Sequence, residues 1–461
     1  MRKDIANLKY VFNPKSIAII GASDNPAKLG NVILKNLVDG GYEGKIYPVN
    51  PKYTRLLGLK CHPNIKKIKE KVDLAIFAVP SKIVPAIAEE CGKKGVKGIV
   101  VLSAGFGEVG NVGLEEKLEK VVLRYKMAMI GPNCLGVMNP EKRVDSIFFP
   151  FYKFGRPNVG EISLITQSGA VGSCIADLAA YYGVGFAKFA SYGNGTTIND
   201  ADLLEYFGAD PKTEQILLYL EGTKDGRKLL EMLEKVNKKK PVIVLKAGKS
   251  KAAGEAAMSH TGNLAGNYMA YQAAFRQSKA IEVDSVVDLF YVANMFSQAK
   301  PKGKKVAVLT DGGGLGVLTA DSLEDEGLEV TKFSKETQKK LKKVLPEYVN
   351  VVNPLDIVAD SGTDTYRKSL RILMEDKEID SIIVIILFQA PAVDSRIIDI
   401  LVKESDRKKK PIIVVAVGGE YTKENRRVLD SYGIPTYGSP ASAVKTLKRF
   451  SEYSLFLKNK K

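Results

Sequence analysis

The sequence predicts an α/β protein built from parallel, doubly wound sheets. Three observations carry that expectation. Continuously apolar, β-branched runs recur along the chain, as expected of strands covered on both faces. Amphipathic segments such as SKIVPAIAEECGKKG (81–95) lie between them, with apolar residues near helical spacing. Small residues punctuate the strand ends, where an open sheet binds its ligands. At about 150 residues per domain, a chain of 461 residues suggests three domains.

The elements follow in order. The first region, 1–150, offers strands in SIAIIGA, KIYPVN, DLAIFAV, GIVVLSA and AMIG. The stretch FPFYKFGRPNVG (149–160) is aromatic, rich in Gly and Pro, and without helical period, so it reads as a boundary. The second region, 151–300, offers EISLIT, FAKFAS, QILLYLE and PVIVLKAG, and AKPKGKK (299–305) reads as a basic linker. The third, 301–461, offers KVAVLT, LEVTKF, SIIVIILF and PIIVVAV. The related stretches KKKPVIVLKAG and KKKPIIVVAVG give the second and third regions a similar layout.

Composition narrows the class. Sixty-nine basic against 52 acidic residues leave a net charge of +17, which favours anionic partners. The lysine runs precede Pro and an apolar strand, as solvated helix ends do. No basic run is interleaved with aromatics, so nucleic-acid binding is not expected. The apolar run SIIVIILF is far below the ~20 residues that span a bilayer, and the N-terminus has no signal-peptide core. Cys61, Cys91, Cys134 and Cys174 form no CxxC pair, which argues against zinc and disulfides and for a cytoplasmic protein. No membrane association and no bound metal are expected. Absent Trp and abundant Lys and Glu hint at a thermophile.

In IAIIGASDNPAKLGN, Gly21 ends a strand and Gly30 follows nine residues later. Such a loop turns tightly and leads into a helix N-terminus that offers N–H groups to an anion. The dinucleotide fingerprint GxGxxG is not met, because Ala22 and Ser23 follow Gly21, so an ADP-like moiety fits better than NAD. The next strand ends in Asn50, Pro51 and Lys52 rather than an acid, which suits an extra phosphate better than a ribose diol. A Rossmann turn without ligand is the bland alternative. Val79 and Pro80, then Ser103, Ala104 and Gly105, then Asn133, Cys134 and Gly136 punctuate the following strand ends, so together they are expected to line one crevice.

The second region repeats the arrangement in TQSGAVG, where Ser168, Gly169 and Ala170 open a small-residue helix start able to bind an anion. LKAGKS imitates a P-loop, but Ile243 stands where its first glycine belongs, so a Walker A site is rejected. His260, one of only two histidines, sits in SHTGNLAG with little bulk around it. The bland reading is a loop imidazole bonded to a carbonyl. Metal ligation lacks nearby partners, and a Ser168-based triad lacks the GxSxG elbow, since Thr166 replaces its first glycine. Phosphoryl acceptance by the imidazole fits better. Thr261 and Gly262 beside it, and the Ser168 loop, supply small residues and N–H groups, and Glu221, ending ILLYLEG, is a carboxylate to orient the other ring nitrogen.

The motifs GASDNPAKLGN, VNPK, SAGFGE, GPNCLG, TQSGAVG, YLEG, VLKAGKS, SHTGNLAG, TDGGGLGVLTAD and NPLDI, in this order, resemble the α subunit of the ADP-forming acyl-CoA synthetases (ADP-forming acetate–CoA ligase), relatives of succinyl-CoA synthetase. The resemblance implies a CoA-binding Rossmann-like domain followed by two flavodoxin-like domains. It implies the reaction acyl-CoA + ADP + phosphate ⇌ carboxylate + ATP + CoA through an acyl phosphate, with His260 as phosphoryl carrier and Glu221 steadying it. Ser168, Gly169, Ala170, Thr261 and Gly262 would then hold phosphate. Gly21, Ala22, Ser23 and Gly30, with the later strand-end residues named above, would cradle CoA, and Cys134 would lie near the thioester or serve only as a small buried hydrophobe. No segment reads as an ATP-grasp domain, so ADP/ATP and Mg2+ are expected mainly on a separate β subunit, in an α2β2 assembly. A non-catalytic CoA-binding module, succinate–CoA ligase and a nicotinamide oxidoreductase are the competing readings. The TDGGGLG segment favours the acetate type over the two-domain succinyl enzyme.

Overall fold

The computed structural model describes residues 2–250, 252–253 and 268–458; His260, Thr261 and Gly262 lie outside the described residues. Contacts divide the chain into two compact units, Met1–Asp284 and Ser285–Lys461. Among the described residues the first unit contains two large sheets, and the second contains one.

The first sheet runs Lys45–Val49, Ser16–Ile20, Leu74–Phe77, Gly98–Val101, Ala128–Ile130, with every pair parallel. Its central strands are buried from end to end, which is why their sequences are continuously apolar rather than alternating. Ser16–Ile20 lies between its successor in sequence and Leu74–Phe77, so connections leave it in opposite directions and a crevice opens at its carboxyl end.

The second sheet repeats this order with Ile281–Val283, Val242–Lys246, Gln215–Leu220, Val159–Thr166 and Phe186–Ser191, all parallel, a flavodoxin-like arrangement with its switch point at Val159–Thr166. Two short strands, Gly136–Asn139 and Val144–Asp145, extend its edge in antiparallel fashion. Arms of four and two residues are too short for periodicity to reveal. They carry the chain directly from the first sheet into the second.

One hydrophobic core joins these sheets, running from Ile17 and Leu34 through Val137 and Ile165 to Phe207 and Leu218. The N-terminal helices Lys3–Asn7 and Lys9–Phe12 add to it. Phe12 stacks on Tyr206 at 5.6 Å and meets Phe207 edge-on at 5.3 Å. Its carbonyl accepts from Asn139 Nδ2 at 2.9 Å.

The second unit, taken by itself, is a parallel sheet ordered Glu329–Val330, Lys305–Thr310, Ser381–Ile385, Ile412–Val415, Thr436–Tyr437, with Leu355–Asp356 also pairing to Lys305–Thr310. Separate apolar clusters cover its two faces, so it is doubly wound.

Candidate functional site

At the first sheet's switch point, Gly21 turns the chain at φ +92°, and the helix Leu29–Asp39 approaches so closely that a Cβ on Gly30 would overlap the Gly21 carbonyl. Side chains lock the loop between them. Asn50 Nδ2 donates to the Ala22 carbonyl at 2.7 Å, and Asn31 Nδ2 to that of Ser23 at 3.0 Å. Asn50 Oδ1 also accepts from Lys52 N at 3.0 Å, while Pro51 and Lys52 are exposed. The helix N-cap, Lys28, makes no side-chain cap bond; Asn31 N donates to its carbonyl at 3.0 Å, and the Leu29 and Gly30 N–H groups keep their capacity for an anion. Ala22 and Ser23 are buried against this turn, and Val79 packs across from Gly21.

Ser103 Oγ donates to the Val79 carbonyl at 2.5 Å and leads into a cleft of about 500 Å³. Ser103, Ala104, Asn133 and Cys134 line it together with Ser168, Gly169 and Ala170. Two groups of residues chosen from separate regions of the chain therefore face one cavity. Ser168 caps the helix Gly169–Tyr181, its Oγ accepting from Val171 N at 3.3 Å, which leaves the Gly169 and Ala170 N–H groups as the donors at that helix start. Among the described lining residues none is basic, so an anion here would be held by peptide dipoles rather than formal charge. Cys134 is buried, and burial pushes its thiol up to about 12, so it is no thiolate nucleophile.

Residues that spacing alone did not single out complete the cleft. Phe149, the first residue of the stretch that reads as a boundary, and Phe148 just before it are apolar lining residues. Asn36 holds that stretch through the Ile147 and Phe149 carbonyls at 2.8 and 3.0 Å, and Arg156 Nη2 donates to Phe149 at 2.8 Å. Asn194, also on the cleft, donates from Nδ2 to Glu108 Oε2 at 2.7 Å and Glu115 Oε2 at 2.9 Å. Glu108 in turn accepts from Gly105 N at 2.5 Å and Phe106 N at 3.1 Å. The Gly105 N–H is thus already used internally. Burial raises the Glu108 carboxyl, but these hydrogen bonds outweigh it and hold the group below its ordinary value. Gly193 carries this strap so tightly past Pro132 and Asn133 that a Cβ there would overlap both carbonyls.

Glu221 is buried just past the strand Gln215–Leu220. The cleft residue Gln167 accepts from Glu221 N at 2.9 Å and Gly222 N at 3.0 Å, linking that carboxylate's backbone to the Ser168 turn. Tyr219 OH donates to Glu221 Oε1 at 3.3 Å. Lys246, the last residue of the neighbouring strand, donates from Nζ to the Glu221 carbonyl at 2.7 Å and is 2% exposed. Burial pushes its ammonium down to about 8, opposed by Glu221 and Glu282. At the start of the helix Asp200–Ala209, burial pushes the Asp200 carboxyl up to about 6 against hydrogen bonds from Thr223 and Ala201.

Gly21 to Ser23, Gly30, Asn50 to Lys52, Val79 and Pro80 gather at the first switch point beside the cleft rather than on its wall, joined to it through Ser103 and Leu29. Among the described residues no group of three His, Cys, Asp or Glu side chains is arranged to hold a metal ion, and no helix is long and apolar enough to cross a membrane.

Three family models match in sequence: a CoA binding domain over residues 15–140, a succinyl-CoA ligase like flavodoxin domain over 159–296, and a ligase-CoA domain over 306–447. The ADP-forming acetate–CoA ligase I of Archaeoglobus fulgidus is 42% identical over 97% of this chain, which spans 64% of that protein's length. The α subunit of ADP-forming acetate–CoA ligase II from Pyrococcus furiosus is 40% identical over 94% of this chain and 95% of its own. The dinucleotide-forming acetyl-coenzyme A synthetase 1 of Candidatus Korarchaeum cryptofilum, solved with phosphate and ADP, superposes with a TM-score of 0.91 at 34% identity over 98% of both chains. With one relative matched almost end to end and a solved structure superposing over nearly all of both chains, this chain belongs to the ADP-forming acetate–CoA ligase family.

Proposed function

We propose that the chain is the α subunit of an ADP-forming acyl-CoA synthetase that interconverts acyl-CoA, ADP and phosphate with carboxylate, ATP and CoA. One observation carries the reading. A single cleft joins the strand-end loops beside the Gly21 turn to the uncharged helix start at Ser168–Ala170, with Glu221 tied to the same turn through Gln167. CoA lies along Gly21–Ser23, Asn50–Lys52 and Val79–Pro80, with its thioester reaching past Ser103 toward Asn133 and Cys134. The acyl group meets the apolar side made by Phe148 and Phe149.

Phosphate sits at the Gly169 and Ala170 N–H groups. One of its oxygens attacks the thioester carbonyl; the C–S bond breaks, CoA leaves as thiolate and takes up a proton, and an acyl phosphate remains. An imidazole nitrogen of His260 then attacks phosphorus, the P–O bond to the acyl group breaks, and the carboxylate departs. Glu221 accepts a hydrogen bond from the other ring nitrogen and stabilises the charged imidazole, while Thr261 and Gly262 bond the phosphoryl oxygens. A terminal oxygen of ADP finally displaces the histidine and yields ATP.

ADP and Mg2+ belong mainly to a partner β subunit with ATP-grasp domains, in an α2β2 complex. The subunit-alpha name of the Pyrococcus furiosus relative, and the greater length of the Archaeoglobus fulgidus one, support a partner. Three working domains, 1–150, 151–300 and 301–461, are supported by the three family matches. A cytoplasmic setting is supported by four unpaired cysteines, three of them buried.

Incubating the complex with acetyl-CoA, ADP and labelled phosphate tests the reading. An acid-labile, base-stable phosphoryl group is expected on His260, and His260→Ala should abolish ATP formation while CoA binding stays near normal. An alanine variant that still makes ATP at a comparable rate overturns the carrier assignment.

A further inference from the structure

The segment that bears His260 is flanked by two lysines and two tyrosines at matching intervals. Lys246 and Lys249 precede it, and Tyr268 and Tyr271 open the helix Tyr268–Ser278 that follows it. They meet in pairs. Lys246 Nζ lies 4.5 Å from the centroid of the Tyr271 ring, and Lys249 Nζ 5.5 Å from that of Tyr268.

The inner pair is buried and fully engaged. The Lys246 ammonium has three donors; it bonds the carbonyls of Glu221 and Ala247 and faces the Tyr271 ring. Tyr271 OH accepts from Thr223 N at 3.0 Å, two residues past Glu221. The strand end carrying Glu221, the start of the histidine segment and its far end thus converge on one cation. The outer pair is more exposed and ionic. Lys249 lies 3.1 Å from both Glu282 Oε1 and Asp284 Oδ1, and Tyr268 OH donates to Glu282 Oε1 at 2.7 Å.

A buried lysine is costly unless its charge does something an apolar side chain cannot. Leucine or methionine would fill this strand end; only a cation binds two carbonyls and an aromatic face together. Cation–π contacts also strengthen when removed from water, so the inner pair is the stronger.

We propose that Lys246 and Tyr271, backed by Lys249 and Tyr268, are positioning residues that clasp both ends of the His260 segment to the main chain at Glu221, so that phosphoryl transfer to His260 starts from a fixed base. This rests on the carrier role proposed for His260. None of the four residues lines the cleft assigned to phosphate and the thioester, so the clasp acts through Glu221 and the segment ends. It should leave acyl phosphate formation alone and govern the step after it.

The test uses the full chain with its partner subunit, acetyl-CoA and labelled phosphate. Hydroxylamine-trapped acetyl phosphate reports the first step and acid-labile label on His260 the second. Hydrogen exchange at the Glu221 and Gly222 amides reports the clasp without any turnover. Lys246→Met and, independently, Tyr271→Leu should slow His260 labelling by about 10- to 100-fold, the range for losing an orienting group. Both should leave trapped acetyl phosphate within about twofold and speed exchange at the two amides by at least about tenfold. Tyr271→Phe keeps the ring under the ammonium and should restore labelling to within a few-fold of wild type, which a general packing defect would not allow. Lys249→Gln should have the smaller effect. Unchanged exchange in both inner variants overturns the clasp, and faster exchange with unchanged labelling overturns its role in transfer. A wild-type complex that makes acetyl phosphate but never labels His260 overturns the carrier reading and this role together, a result distinct from labelled wild type with unaffected variants.

Discussion

The first two sheets solve the same architectural problem twice and end up chemically different. Each places a helix start at its switch point, Lys28 before Leu29–Asp39 and Ser168 before Gly169–Tyr181. The first start has no side-chain cap, has a lysine, Lys28, as its N-cap residue, and follows a loop braced by the amide side chains of Asn31 and of Asn50, two residues before the exposed Lys52. The second is capped by its own serine, faces a cleft without basic lining residues, and is backed by the buried Glu221, Lys246 and Asp200. An open, uncapped start with cations nearby suits a large anion that binds and stays. A capped, neutral start suits a small anion that must leave again, because a fixed positive charge would trap it. What distinguishes the two is the side chains around the glycines, not the glycines.

Four substitutions sharpen that contrast. Glu221→Gln should slow phosphoryl transfer by about 10²-fold with CoA affinity unchanged, the size expected for an orienting or general-base group; a coupled assay beside a CoA titration reads both. An equal loss in both measurements would break the division between the sheets.

Asp200 carries a stability signature that the first site has no counterpart for. Its folded pKa is raised to about 6 from 3.8, so the folded state binds its proton more tightly than the unfolded one. The associated stability is fully present below about pH 4 and is lost as pH rises through about 6. Asp200→Asn should therefore gain stability at pH 7.5, by at most about 3 kcal/mol from the shift, and little at pH 4. Denaturant melts at the two pH values measure the difference, and an equal effect at both would discard the buried-charge account.

Gly30→Ala puts a methyl group onto the Gly21 carbonyl. It should destabilise the first unit by about 1–3 kcal/mol and weaken CoA binding, while His260 labelling at saturating acetyl-CoA stays close to wild type. Ser168→Ala removes one helix cap and should cost about 1 kcal/mol, together with a modest rise in the KM for phosphate. A larger rise for CoA than for phosphate would reverse the assignment of the two helix starts.

Much of this was legible in the order of residues. Runs such as IAII and VIVL are apolar throughout because both faces of their strands are covered, and they form most of the buried strands Ser16–Ile20 and Val242–Lys246. The strand-end residues Ser103, Asn133 and Ser168 do share one cleft, as the carboxyl-end rule for open sheets requires. Other features left no local trace. FPFYKFGRPNVG has the composition of a boundary, yet Phe149 is a cleft wall, held there by Asn36 from 113 residues away. Asn194 joins Glu108 and Glu115 across 86 and 79 residues, and no spacing within one segment encodes such a contact. Lys246 sits in LKAGKS, where its neighbours imitate a phosphate loop; its burial beneath Tyr271 depends on a helix that begins 22 residues later.

By itself, then, the order of residues determined the parallel sheets and the glycine turns at their ends, because strand burial and tight turning are written over a few consecutive residues. Only the tertiary structure decided which strand ends meet, which walls close the cleft, and which lysine loses its water to hold Glu221. Those outcomes depend on packing between segments far apart in the chain, where desolvation and hydrogen-bond geometry, rather than local propensity, select the arrangement.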